Sequence, residues 1–182
     1  MSGAAALMVI VGSVVFLVGA GFGVPSVFMT GDSEERVRLL TSHVTRWRVA
    51  QFFYAGGPVI ASIGVGWVGF NTGGGAGAVE VAAGAALLIG AVAWSYSCLL
   101  RGRDPVRFAQ GVQPGWPFRT YVILTLAGLA ALGMALLVAD TRTWVGWVVL
   151  AADLGYTILY VETDDVPPFV FYVLLIVAAL AA

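Results

Sequence analysis

Apolar runs long enough to cross a bilayer recur along this chain from one end to the other, and no other feature constrains its fold as much. Crossing a ~30 Å hydrocarbon core takes about 20 apolar residues in a helix. Six runs meet or approach that length, at 4–28, 47–70, 79–100, 118–139, 144–161 and 168–182. The expectation is an all-α, polytopic integral membrane bundle of about six transmembrane helices. It forms one domain over 1–182, with polar segments at 31–46 and 101–117. Composition agrees: 60% of residues are hydrophobic and 10% charged, against about 25% charged in soluble domains. The fifth run is short and carries an aspartate, and the sixth reaches Ala182 without a polar flank.

Arginine placement sets the expected orientation. Arg36, Arg38, Arg46 and Arg48 lie between the first and second runs, and Arg101, Arg103, Arg107 and Arg119 between the third and fourth. Only Arg142 falls on the other side. By the positive-inside rule both termini face outward and the protein is a multi-pass plasma-membrane protein. The two halves show no repeat of the kind that builds inverted-repeat transporters. The uncharged start of the chain and its long first run read as a retained span.

The segment "GDSEERVRLLTSHVTRWRVAQ" has the signature of an amphipathic helix on the cytoplasmic surface before the second span. Asp32 is placed to cap it, with Glu35 at the reciprocal capping-box position and Glu34 one turn from Arg38. Val37, Leu40, Val44 and Trp47 form its apolar stripe, expected to face lipid. Arg36, Arg38, Arg46, Arg101, Arg103 and Arg107 are the candidates for contact with anionic lipid or a partner. In 101–117, Pro105, Pro114 and Pro117 prevent one continuous helix, and Trp116 is expected at the interface.

One residue stands out within the apolar runs. "VVLAADLGYTILY", 148–160, places Asp153 nine residues in from Trp144, roughly 13 Å deep at ~1.5 Å per residue. A charge at that depth costs at least ~2.5–3.5 kcal/mol. Asp153 is therefore expected to be protonated, hydrogen-bonded, in a watered cavity or bound to a cation. Tyr156, Thr157 and Tyr160 continue a polar stripe from it, turned toward protein.

In the second run, Pro58 has no N–H for the carbonyl of Tyr54, so a break is expected beside Gly56 and Gly57. The expected site joins Asp153 to that break in one midplane pocket. Gln51, Tyr96 and Tyr160, with Ser95 and Ser97, would line a cavity opening inward. Glu80, one residue into the third run, is expected to be solvated and without function. Gly19 and Gly23 allow close helix contact, whereas the 71–78 segment reads as a flexible link in which Gly73 and Gly77 have no packing role.

Several chemistries are excluded. Lysine is absent, which removes a covalent retinal, Ser–Lys dyads and Schiff-base catalysis. One histidine, His43, cannot supply a bis-histidine haem site or a multi-histidine metal centre, and one cysteine, Cys98, cannot form an intrachain disulfide. "GGGAG" lacks the lysine of a phosphate-binding loop. No cofactor, no catalytic residue and no nucleic-acid partner is expected. The leading expectation is proton- or cation-linked transport or binding of a small solute at Asp153, in a homo-oligomer. The alternatives are an accessory or scaffold subunit of a larger membrane complex and, behind it, a lipid-modifying membrane enzyme.

Overall fold

A computed structural model describes residues 3–139 and 143–181, so Arg142 lies outside the described residues. The described secondary structure is entirely helical: α1 (Gly3–Phe22), α2 (Ser26–Met29), α3 (Ser33–Ser42), α4 (Val44–Thr72), α5 (Gly74–Arg103), α6 (Pro105–Ala109), α7 (Trp116–Val138), α8 (Thr143–Thr163) and α9 (Phe169–Ala181). Five helices, α1, α4, α5, α7 and α8, are long and apolar enough to cross a membrane. The protein is therefore a multi-pass helical membrane bundle. The sixth expected span is α9, of 13 residues. At ~1.5 Å per residue it covers about 20 Å, short of a ~30 Å core.

The helices pack in sequence, α1 on α4, α4 on α5, α5 on α7 and α7 on α8, while α9 returns against α1 and α8. Phe171, Tyr172, Leu174, Leu175, Ala178 and Ala179 bury α9 in the core. Its Tyr172 ring stacks on Phe16 of α1, 4.0 Å between centroids. The Tyr172 hydroxyl lies 2.9 Å from that of Tyr121 in α7.

Glycine sets the approach of the first helices. A Cβ added to Gly57 of α4 would sit 2.7 Å from both the Gly12 carbonyl oxygen and the Phe16 amide nitrogen of α1. One added to Gly84 of α5 would sit 2.5 Å from the Gly66 Cα of α4. Gly19 does meet α4, its added Cβ falling 2.7 Å from that of Phe53. The 71–78 segment departs from expectation. α4 and α5 are joined through Gly73 alone, at φ 66°, and Gly77 belongs to α5. A Cβ on Gly69 would meet the Gly77 carbonyl oxygen at 2.6 Å. Gly77 is thus a packing glycine at a helix crossing.

The first span ends at Phe22, six residues before the expected limit. The chain then turns into α2 and α3, which form a cap with α6 at the arginine-rich end. Asp32 caps α3 by accepting from the Glu34 amide at 3.0 Å. The reciprocal half of the capping box is absent among the described residues. The Asp32 amide donates to Thr30 Oγ1, and Glu35 instead takes a bidentate bond from Arg38 at 2.7 Å. That guanidinium, rather than the amide, holds the Glu35 carboxyl below its usual range. The expected Glu34–Arg38 pair is thus replaced by one a residue along.

Val37, Leu40 and Trp47 do form one stripe, but it does not face lipid. Leu40 and Trp47 are buried with Val24, Val27 and Ala109, and Val37 and Phe108 close over them. Covering a second small core against α2 and α6 removes more apolar surface from water than lying on a headgroup layer would. The helix also breaks at His43, so α3 and α4 are separate elements. As expected, the prolines interrupt 101–117. Pro105 opens α6 at a position needing no amide, Asp104 caps it through the Arg107 amide at 3.0 Å, and Gln113 Nε2 donates to the Leu100 and Asp104 carbonyls.

Candidate functional site

Pro58 removes a hydrogen bond from α4, and the repair shapes everything beneath it. The helix stays continuous through Pro58. The Tyr54 carbonyl, left without an intrahelical donor, accepts from Trp94 Nε1 of α5 at 2.9 Å. The next carbonyl, Ala55, accepts from Ser95 Oγ at 3.1 Å. Trp94 of α5 is thus the donor to the Tyr54 carbonyl, where Asp153 was expected. Asp153 belongs to α8, which packs on α7 and α9, whereas α4 packs on α1 and α5.

A cavity is present, but its lining is not the one expected. A cavity of about 740 Å³ lies at the arginine-rich end, between the bundle and the cap. Phe16, Tyr54 and Trp94 form its deep wall, while Val27, Phe28, Arg36 and Phe108 come from the cap. Gln113, Phe118 and the 164–169 connection complete the ring. Of the five residues expected to line an inward cavity only Ser97 is present, joined by Tyr54 from the expected midplane pocket.

Tyr96 points outward and stacks on Trp116 at 5.7 Å, both half exposed. Gln51 is buried beside Gly102, its amide oxygen and nitrogen both without a partner among the described residues. Tyr156 packs edge-on against Phe171, and Tyr160 also faces the core. Pro58 is fully buried and bonds, through its carbonyl, the Ser62 hydroxyl at 2.7 Å.

Arg101 is the centre of this cavity. Its guanidinium carbon lies 4.7 Å from the centroid of Trp94 and 4.8 Å from that of Phe108. Its backbone is anchored too, because its carbonyl accepts from Trp47 Nε1 at 3.0 Å. Trp47 stacks on Phe108 and Trp94 packs against Tyr121, so the cation sits within a column of rings running from cap to core. Among the described residues no carboxylate is within ion-pair distance and none accepts a hydrogen bond from its side chain. Arg101, expected as a contact for anionic lipid or a partner, is thus placed among rings on the cavity wall.

Arg36 also lines the cavity, donating from Nε to the Thr30 carbonyl at 2.8 Å. Arg46 packs over Phe22 and donates to its carbonyl, and Arg48 donates to Gly102. Arg103 and Arg107 remain exposed, as does Arg38 in its pair with Glu35. At the cavity's edge Arg119 pairs with Asp164 at 2.6 Å.

Two membrane-depth acids lie away from the cavity. Asp153 is buried on one stripe of α8 with Val145, Gly146 and Val149, and its Oδ1 has no partner among the described residues. Glu80, expected to be solvated, is 4% exposed. It faces a void of about 20 Å³ whose other walls are Val9, Val65, Val68, Leu132, Leu136, Leu175, Ala178 and Ala179. That volume is room for one water. The α5 helix begins at Gly74, so Glu80 sits over a turn deeper than the apolar run indicates.

An acid with only hydrocarbon around it loses more solvation than its surroundings return. Glu80→Leu should therefore raise the melting temperature of the purified protein. A fall would mean that an unrecognised partner holds this carboxyl.

Trp94, Phe108 and Gln113 were not singled out by sequence reasoning, and Glu80 was given no function there. A signal for the first was present: Trp94, Cys98 and Arg101 recur at intervals of four and three, one face of one helix. No family model, curated protein or solved structure matches this chain.

Proposed function

We propose that this multi-pass membrane protein binds a small organic solute in the cavity at its arginine-rich end. The observation that supports it is Arg101: a cation with no carboxylate in ion-pair distance among the described residues, held against two aromatic rings in a cavity of about 740 Å³. Ligand sites are commonly concave, ~300–1,000 Å³, mostly apolar and supplied with a few fixed polar groups. By the positive-inside rule this mouth is cytoplasmic.

Transport of the bound solute, linked to a proton or cation at Asp153, is the second part of the proposal. A buried acid with an unpartnered oxygen, separate from the cavity, fits a coupling group better than a solute contact. The solute-binding reading is preferred to an accessory subunit because glycines of α1, α4 and α5 pack against one another within this chain.

The test is a reconstituted flux assay with a pH-sensitive dye trapped inside the vesicles, screened against small organic acids. The expected result is solute-dependent proton movement in the natural protein, lost in Asp153→Asn while solute still stabilises that variant against heat. Loss of both flux and thermal stabilisation in Arg101→Gln is expected as well. A folded natural protein that no solute stabilises and through which none drives flux would end the reading.

A further inference from the structure

We propose that the cavity's ligand is an amphipathic monoanion: an apolar body carrying one carboxylate, sulfate or phosphate-type group that Arg101 binds. This rests on the cavity being a binding site, and it adds the ligand's charge and shape.

The charge follows from counting the ionic side chains around the space. Arg36 and Arg101 line it, opposed by Asp164 and Asp165. Asp164 is already satisfied by Arg119, at 2.6 Å. Two cations then face one free carboxylate, which leaves one positive charge to be met. Asp165 acts on Arg101 only at a distance, and one of its oxygens accepts from the Val166 amide at 2.8 Å.

The position of the surplus is equally informative. Ring contacts engage the face of a guanidinium and leave its in-plane N–H donors unused. A fixed guanidinium with open donors matches the paired oxygens of a carboxylate or phosphate group. The ring column through Trp47, Phe108 and Trp94 holds it in place, so little side-chain freedom is lost when an anion arrives.

The shape follows from the rest of the wall. Beyond Arg101 much of the lining is apolar, including Phe16, Ala20, Trp94, Phe118 and Phe169. A small hydrophilic anion would leave these surfaces without contact. An alkyl, aryl or isoprenoid body would cover them, at ~25 cal/mol for each Å² of apolar surface removed from water. The same chemistry can come from a free amphipathic acid or from an anionic membrane lipid entering head first.

The experiment uses the full-length protein in nanodiscs of neutral phosphatidylcholine, read by tryptophan fluorescence and by thermal stability. Octanoate and octyl sulfate should give saturable changes. Octanol and octyltrimethylammonium should bind more than about tenfold more weakly, the equivalent of one charge-assisted hydrogen bond. Arg101→Gln should abolish the preference for the anion. Ala20→Leu, which fills the cavity and leaves Arg101 in place, should weaken octanoate without changing the fold. The comparison of four probes on the natural protein stands even if Arg101→Gln does not fold.

Nanodiscs containing phosphatidylglycerol separate the two sources. Competition with octanoate assigns the site to lipid, and unchanged octanoate affinity assigns it to a free acid; either supports the monoanion. Equal binding of octanol or the quaternary amine would overturn the ligand class while leaving a binding cavity. Absence of any saturable probe, with solute-driven flux present, would overturn the ligand class alone. Absence of both would remove the cavity reading as well.

Discussion

Gly56→Ala and Gly57→Ala should move stability in opposite directions, although the two glycines are neighbours in one helix. Alanine is favoured over glycine in a helix interior by ~0.8–1 kcal/mol. At Gly56 nothing lies within 4 Å of an added Cβ, so that gain should appear as a higher melting temperature. At Gly57 the same methyl group meets Gly12 O and Phe16 N, each at 2.7 Å, and Phe16 Cβ at 2.9 Å. Two of these are backbone atoms of another helix and cannot rotate away. Separating α1 from α4 would in turn disturb the Phe16–Tyr172 stack that ties in α9. Overpacking costs about 1–3 kcal/mol and occasionally more, and the larger end is expected here. Thermal unfolding of both variants in one detergent checks it. Equal effects would mean that the α1–α4 crossing is looser than these distances require.

The second large effect lies at Pro58 and Trp94. Trp94→Phe keeps an aromatic ring but removes the donor to the Tyr54 carbonyl. A buried carbonyl left unsatisfied costs about 1–3 kcal/mol. In a Pro58→Ala background residue 58 regains an N–H, and the helix can supply that bond itself. The cost of Trp94→Phe should then fall by roughly 1 kcal/mol, a coupling that a double-mutant cycle isolates. Equal costs in the two backgrounds would mean that Trp94 serves α4 only by filling space. The cycle also bears on ligand binding, since Trp94 holds Arg101: Trp94→Phe should affect octanoate far less than it affects stability, because phenylalanine preserves a ring beneath the cation.

These two sites show what was legible in the residues. Length and apolarity fix α1, α4, α5, α7 and α8 as spanning helices, because a bilayer admits few other arrangements for such runs. Pro58 announces an orphaned carbonyl at Tyr54 in the sequence, but its donor lies 40 positions further on, and no local rule names it. Asp153 drew attention because charge in an apolar run is conspicuous. Arg101 was grouped with the other loop arginines, because an arginine at the end of a span is explained by topology, and only its ring partners distinguish it. Glu80 was misplaced for a simpler reason. Gly74–Gly77 read as a loop, yet they are helical, so the depth of Glu80 was counted from the wrong residue.

The one-residue link at Gly73 carries a mechanical consequence. It leaves no slack between α4 and α5, and the glycine crossings at Gly69 and Gly84 hold the two helices in near backbone contact. The pair is thus one structural unit, closed at the end remote from the arginines. The connection from Asp164 to Phe169, which turns at Asp164 with φ 54° and is tied to α7 by Arg119, is a wall of the aromatic chamber that belongs to neither helix.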